Sequence, residues 1–180
     1  GFMINIETYN GKYDDEIILL ILDIQNNESK INLSLEEQPD LKDIRNCYQK
    51  DGGEFWIAIK NGEVIGTIDL MIKEDNCAVM KKFFVKAEYR SQKVGLALYK
   101  KLLEYAVKMG VKHILLDTPS VAKASHKFYE KAGFNKVDLK DIPIKYTFPD
   151  RNSLIYVLDI WLIFIKKAIW KIVDIFICKK

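Results

Sequence analysis

The sequence predicts an α/β protein (an α+β mixed sheet) with about seven strands in a central mixed sheet, about four flanking helices and a C-terminal amphipathic helix. Two apolar runs at residues 55–59 and 64–72 are joined by Asn61-Gly62, the dipeptide that a type I′ hairpin turn requires. Residues 83–98 then pass from a buried-strand pattern through a short polar turn into an amphipathic helix. Residues 111–134 repeat the order of strand and helix, which predicts a crossover with parallel pairing.

The bulk composition indicates one globular domain and excludes disorder. The chain has 180 residues, of which 49% are hydrophobic and 29% are charged. A net charge of +3, with no basic tail, gives no argument for a nucleic-acid partner. Cys47, Cys77 and Cys178 lie far apart and match no metal-binding spacing, so we expect reduced thiols in a cytoplasmic protein. No secretory leader is visible, and Gly1-Phe2 before Met3 resembles an expression remnant.

The remaining elements follow from local patterns. Residues 3–8 alternate as a first strand, and a helix capped by Asp14 or Asp15 comes next. A second helix is expected from Pro39-Asp40 to Gly52-Gly53. Residues 77–85 predict the central strand, and residues 135–139 and 153–160 predict two closing antiparallel strands.

The C-terminal segment has a different pattern. Apolar residues dominate positions 161–178, and Lys167, Lys171 and Asp174 form a narrow polar stripe at helical spacing. The segment is too short and too charged for a membrane span. We expect a domain over residues 1–160 and a helical extension over residues 161–180 that packs on the core or on a partner subunit. Interfacial membrane binding through Trp and Lys is the alternative.

The turn between residues 85 and 94 has the properties of an anion site. A strand that turns into a helix leaves unpaired N–H groups at the helix start, and the helix dipole adds to their attraction for a phosphate or pyrophosphate. Gly95 permits close approach to the backbone, while Arg90 and Lys93 supply positive charge. The alternative is an ordinary structural crossover.

The following helix ends in Phe-Tyr-Glu-Lys-Ala-Gly-Phe at residues 128–134, and here the chain resembles the GNAT superfamily of acetyl-CoA-dependent N-acetyltransferases. The resemblance covers roughly residues 1–160 and is strongest over residues 83–134. The family's pyrophosphate loop, Arg/Gln-x-x-Gly-x-Gly/Ala, fits in two registers. Residues 92–97 match it letter for letter, whereas residues 90–95 keep the usual distance from the strand. We prefer the second register, which puts Lys93 where the first glycine normally lies.

The resemblance implies a GNAT-like fold and acetyl-CoA as cosubstrate, with pantetheine held by main-chain groups at the end of the strand. Ser125 is expected to replace a contact that an asparagine often makes near the start of this helix, where Ala122 stands here. The cofactor-binding residues so implied are Phe83, Phe84, Val85, Arg90, Ser91, Gln92, Lys93, Val94, Gly95, Leu96, Ala97 and Ser125.

Proton transfer is assigned less completely. The resemblance implies that Tyr129 is the catalytic acid that protonates the departing thiolate, the alternative being a core aromatic residue. Asp69 and the turn carboxylates of residues 74–75 are candidate bases, although each also suits a structural role. His113 and His126 are too few and too far apart for a metal site, and His126 is expected on a solvated helix face.

The predicted function is an acetyl-CoA-dependent N-acetyltransferase that transfers an acetyl group directly to a primary amine. No cysteine next to the loop is available as a covalent relay. The acceptor is a small-molecule or peptide amine, with a membrane partner not expected and a homodimer possible. The alternative is a non-catalytic CoA-binding or interaction module with a partner- or membrane-binding C-terminal helix.

Overall fold

The computed structural model describes residues 3–149 and 152–177, so Asp150 and Cys178 lie outside the described residues. The chain divides into two compact units. The first contains the chain up to residue 72 together with residues 79–109, and the second contains residues 73–78 together with the chain from residue 110.

The first unit combines strands of the sheet with two α-helices. Its elements are strands β1 (Asn5–Thr8), β2 (Glu54–Lys60), β3 (Glu63–Ile72) and most of β4 (Cys77–Val85), and helices α1 (Asp14–Leu22) and α2 (Val94–Lys108). Strand β2 pairs antiparallel with both β1 and β3. The predicted second helix is divided into a 3-10 turn at Pro39–Lys42 and a π-helical turn at Arg45–Gln49. A further π-helical turn, Asp23–Glu28, extends α1, whose N-cap is Tyr13 rather than either predicted aspartate.

The predicted hairpin between β2 and β3 is confirmed. Its turn residues Asn61 and Gly62 have φ values of 52° and 74°, as a type I′ turn requires. The antiparallel register pairs Trp56 with Ile68 and Phe55 with Asp69. These pairings fix which side chains of β3 share a face.

Helix α2 lies close to strand β3 of the same unit. A Cβ added to Gly66 of β3 would lie 2.9 Å from Cδ1 of Leu98 and 3.4 Å from Cγ1 of Val94. Leu98 and Val94 are fully buried, and each such side chain contributes roughly 1.5–3 kcal/mol by its burial. The β4–α2 turn is therefore anchored at the helix end by apolar packing.

The second unit contains strands β5 (His113–Pro119), β6 (Asn135–Val137) and β7 (Ser153–Asp159), and helices α3 (Lys123–Lys131) and α4 (Ile160–Ile177). Strand β7 pairs antiparallel with both β5 and β6, which confirms the two closing strands. Gly133, with φ of 98°, ends α3 as the sequence predicts. Ala122 is the N-cap of α3 and no side chain caps it.

The seven strands form one sheet in the order β1-β2-β3-β4-β5-β7-β6, which confirms the predicted mixed sheet. The C-terminal helix is also present as α4. Its residues Phe164, Ile169 and Ile172 are exposed, as are the polar residues of its stripe. Among the described residues, no helix is both long and apolar enough to span a bilayer. The domain boundary at residue 160 stays a prediction.

Candidate functional site

The turn between β4 and α2 is built around Lys93. Strand β4 ends at Val85, a 3-10 turn covers Ala87–Gln92, and α2 begins at Val94. Lys93 has a φ of 60° and ψ of 25°, the left-handed conformation that glycine adopts most easily. The lysine thus takes the backbone conformation suited to the glycine that the preferred register places there.

The start of α2 presents backbone N–H groups that lie before the first hydrogen bond of the helix. The first bond within the helix runs from the Ala97 N–H to the Lys93 carbonyl at 3.1 Å, and no side chain caps this end. The N–H groups of residues 94–96 consequently have no partner inside the helix, and the dipole of a 15-residue helix adds positive potential. A diphosphate fits this donor set chemically.

The two cations of the turn differ in their surroundings. Arg90 donates from Nε to the Val85 carbonyl at 3.0 Å, and its guanidinium forms an ion pair with Glu28. Lys93 is exposed, and it forms no ion pair within residues 3–149 or 152–177. Lys93 is therefore better placed than Arg90 to offer charge to an anion.

The other predicted loop residues fall into two groups. Ser91, Gln92 and Leu96 are exposed, while Ala97 is half-buried. Gln92 is held from outside the loop, because Lys60 Nζ donates to its Oε1 at 2.8 Å.

Gly95 has a packing role that the sequence does not reveal. A Cβ on this residue would lie 3.3 Å from Cζ of Phe83 and 3.8 Å from Cγ2 of Val85. Phe84, between them in the strand, packs instead on the core cluster that contains Ile17 of α1. The glycine therefore lets α2 approach the strand, in addition to any role beside a ligand.

In the second unit, Ser125 and Tyr129 lie four residues apart on α3 and so share a helix face. Tyr129 is buried, with its ring centroid 5.7 Å from that of Phe134 and 5.9 Å from that of Tyr156. Burial, together with the negative charge of Asp117, raises the pKa of Tyr129 above its usual value. The phenol stays protonated at neutral pH, while its role as acid stays a prediction.

Both histidines contact residues of the fold rather than a predicted site residue. His126 is buried and its Nε2 lies 2.9 Å from the Pro119 carbonyl, so its expected place on a solvated face is wrong. The helix turns it inward because it shares a side of α3 with the buried Tyr129. His113 Nδ1 lies 2.5 Å from Asp159 Oδ1. The described ranges contain no cluster of three or more side chains suited to a metal.

A buried polar cluster lies in the first unit, and its members come from segments far apart in the sequence. Gln25 and Gln38 exchange two amide hydrogen bonds of 2.9 and 2.8 Å. Lys82 Nζ donates to Gln38 Oε1 at 2.6 Å and lies 3.8 Å from Oδ2 of Asp40. Tyr48 donates to the same oxygen of Asp40 at 2.5 Å.

Asp69 lies beside this cluster on β3 and is fully buried. Neither of its carboxylate oxygens has a partner in hydrogen-bonding geometry among the described residues, although the Tyr48 hydroxyl is near enough to influence the carboxyl. Burial raises the pKa of Asp69 to about 8, against the opposing effect of Lys81 and Lys82. The sequence shows Asp69 as a single acid in an apolar strand. No shared sequence pattern marks the other residues of the polar cluster.

The seven-stranded sheet, the helix that begins after β4 and the aromatic end of α3 define an acetyltransferase domain. The profile of the acetyltransferase (GNAT) family matches residues 21–134. The chain belongs to this family.

Individual proteins support the same assignment. The chain is 36% identical over 100 residues to an N-acetylaspartate synthetase of Xenopus tropicalis, a match that covers 54% of this chain and 37% of that protein. The chain thus spans little more than a third of the length of that relative. A GNAT-family acetyltransferase from Staphylococcus aureus Mu50 superposes with a TM-score of 0.84 at 34% identity, covering 88% of this chain and 99% of the other.

A PaiA N-acetyltransferase from Thermoplasma acidophilum, solved in complex with coenzyme A, shares the fold at a TM-score of 0.66 and 19% identity. That match covers 87% of this chain and 99% of the other.

Proposed function

We propose that this chain transfers an acetyl group from acetyl-CoA directly to a primary amine. The observation that carries the proposal is the start of α2, where Lys93 adopts a left-handed conformation and the N–H groups of residues 94–96 have no helical partner. Membership of the family supports the reaction class, and the neighbour solved with coenzyme A supports the donor.

Acetyl-CoA supplies a thioester whose acetyl group is activated for attack by an amine. The N–H groups at the start of α2 and the Lys93 ammonium would hold its diphosphate, with Arg90, Ser91 and Gln92 beside them. Main-chain groups of residues 83–85 would hold the pantetheine arm, and Ser125 would add a further contact.

The amine lone pair attacks the thioester carbonyl carbon, so a C–N bond forms and the C–S bond breaks. The departing sulfur keeps the electron pair and takes up a proton. Tyr129 is the proposed donor of that proton, since burial keeps its phenol protonated. Direct attack is favoured because no cysteine lies in the loop sequence of residues 83–97.

The acceptor is proposed to be a small-molecule or peptide amine. The N-acetylaspartate synthetase relative makes free amino acids the first class to test. We also propose that the protein is cytoplasmic and forms a homodimer. The proposed domain covers residues 1–160, and residues 161–180 form a helical extension.

One observation favours the alternative of a non-catalytic module that recruits a partner or a membrane. Helix α4 exposes large apolar side chains along its length, including Trp161, Phe164 and Ile172. Such a surface suits binding, but it is compatible with catalysis in the same chain.

Calorimetry with acetyl-CoA, followed by an assay of free CoA release, tests the proposal. The acceptor panel contains aspartate, other amino acids, polyamines, aminoglycosides and peptides with free N-termini. We expect saturable binding and acceptor-dependent CoA release. Binding without release by any acceptor would support the non-catalytic module, and no binding of acetyl-CoA would overturn both.

A further inference from the structure

Asp69 is a carboxyl group in the interior of an apolar strand with neither oxygen hydrogen-bonded among the described residues. Burial of a polar group without a partner destabilises a fold. Groups of this kind mark a place where water, a ligand or a proton transfer completes the site.

A path of hydroxyl and carboxyl groups leads from Asp69 toward the surface. Tyr48, itself buried, is adjacent to Asp69 and donates a 2.5 Å hydrogen bond to Asp40. The side chain of Asp40 is 17% exposed, and that of its neighbour Lys82 is 10% exposed. Asp40 is therefore the member that an incoming amine meets first.

The local backbone holds this path in place by two irregular turns. Tyr48 lies in the π-helical turn Arg45–Gln49, and Gln25 lies in the π-helical turn Asp23–Glu28. Gln25 fixes Gln38, which in turn accepts the hydrogen bond from Lys82. π-Helical turns are rare and occur frequently at functional sites.

The path also adjoins the proposed donor edge within the same unit. Lys82 immediately precedes Phe83 in β4 and has a φ of 51°. Thr67 Oγ1 donates to the Lys82 carbonyl at 2.7 Å, which holds the irregular backbone beside β3. The polar cluster and the strand end proposed to hold pantetheine are therefore consecutive in the chain.

We infer that Asp69 is the terminal acceptor of the proton that the acceptor ammonium loses, with Asp40 contacting the amine and Tyr48 relaying the proton. This inference rests on the proposed acetyl transfer.

The step balances as follows. The ammonium N–H bond breaks and its proton moves to Asp40, which leaves a neutral amine with a free electron pair. The Tyr48 hydroxyl passes its hydrogen to Asp69 and receives the proton from Asp40, so the net result is a neutral Asp69. A second proton, released as the amide forms, balances the one that Tyr129 donates to the departing thiolate, and Asp69 later returns its proton to solvent.

The charges around Asp69 suit this role. Burial and the negative charge of Asp40 disfavour the carboxylate, whereas Lys81, Lys82 and the Tyr48 hydroxyl favour it. With a pKa of about 8, Asp69 changes protonation state near neutral pH, as efficient proton transfer from an amine requires.

The experiment measures kcat/KM against pH for the full chain and for Asp69→Asn, using acetyl-CoA and the best amine of the panel. We expect Asp69→Asn to lose about 100-fold or more at pH 7. The deficit should shrink as pH approaches the pKa of the amine, because the acceptor then arrives already neutral. Acetyl-CoA affinity by calorimetry should be unchanged.

Asp141→Asn is the matched control, since Asp141 is an exposed turn carboxylate outside the cluster, and its profile should follow the unmodified chain. Tyr48→Phe is the second variant, and it should show the same pH-dependent deficit if Asp69→Asn does not fold.

The result that overturns the inference is a wild-type pH profile in Asp69→Asn or, should that variant not fold, in Tyr48→Phe. A deficit that is equal at every pH would overturn it as well, because it would indicate a structural role. A wild-type chain that binds acetyl-CoA and transfers its acetyl group would leave the proposed function intact in either case.

Discussion

The ring of Phe83 lies against Gly95 so closely that a Cβ on the glycine would be 3.3 Å from Cζ of the ring. Gly95→Val adds three carbon atoms to this contact, so α2 must shift or the ring must move. We expect the free energy of unfolding to fall by about 1–3 kcal/mol, measured by urea denaturation. Leu96→Val is the control, because Leu96 is exposed one position further along the helix. An equal loss in both variants would refute the packing argument.

Lys93 combines a left-handed backbone with an ammonium group that has no ion pair among the described residues, and two substitutions separate these properties. Lys93→Gly should raise the free energy of unfolding by up to about 1 kcal/mol, because glycine adopts positive φ without strain. Lys93→Ala keeps the strain and should show no gain. Both should weaken acetyl-CoA binding by about threefold to tenfold, since both remove the charge. Calorimetry that finds unchanged affinity in both would exclude the ammonium from the donor site.

The carboxyl of Asp69 should make stability depend on pH. Its pKa rises from an ordinary value of 3.8 to about 8, so the folded chain binds a proton that the unfolded chain has released between these values. This contribution is complete below about pH 4 and is lost as pH rises through about 8. Urea unfolding at a series of pH values should show this decline.

Asp69→Asn should flatten the decline relative to the unmodified chain, by an amount on the order of a few kcal/mol across the window. Asp141→Asn should leave the decline unchanged. Parallel curves for Asp69→Asn and the unmodified chain would show that Asp69 does not titrate in this window.

Tyr129 should contribute to turnover more than to binding. Tyr129→Phe keeps the ring among Phe134 and Tyr156 but removes the proposed proton donor. We expect CoA release to slow by about 100-fold, with acetyl-CoA affinity retained. Tyr156→Phe serves as the control, because its hydroxyl donates to Glu130 at 3.0 Å and has no proposed catalytic role. Equal turnover in the two variants would leave Tyr129 as a core residue.

The apolar side chains on α4 are exposed, so this surface should tolerate substitution with little loss of stability. Ile169 and Ile172 are 53% and 54% exposed. Replacing both with serine should change the free energy of unfolding by no more than about 0.5 kcal/mol, and should reduce self-association in sedimentation experiments. A large loss of stability would show instead that this helix supports the fold in solution.

Local patterns predicted much of the architecture because each rests on neighbouring residues. Asn61-Gly62 requires its turn, and the strand-to-helix distance places the start of α2 correctly even though Lys93 replaces glycine. The role of Gly95 was only partly visible, since the contact with Phe83 depends on how a helix approaches a strand.

The polar cluster was the least predictable part. The local sequence around Tyr48 indicates an inward-facing aromatic residue of an ordinary helix. The local sequence around Lys82 indicates a surface lysine in a strand. Only the tertiary arrangement shows that the first donates to Asp40 and that the second reaches Gln38. A single acid in an apolar strand, Asp69, was the one local sign of this cluster.

The π-helical turn Arg45–Gln49 has a consequence for how this segment tolerates length changes. Such a turn accommodates one residue more than an α-helical turn, so a single deletion there would let the segment close as a regular helix. Side chains beyond the deletion would keep their places around the helix axis, whereas those within the turn would be rearranged. Shortening by one residue should thus disturb the flanking residues less here than in a regular helix, and alignments of relatives need a gap at this point whenever the extra residue is missing.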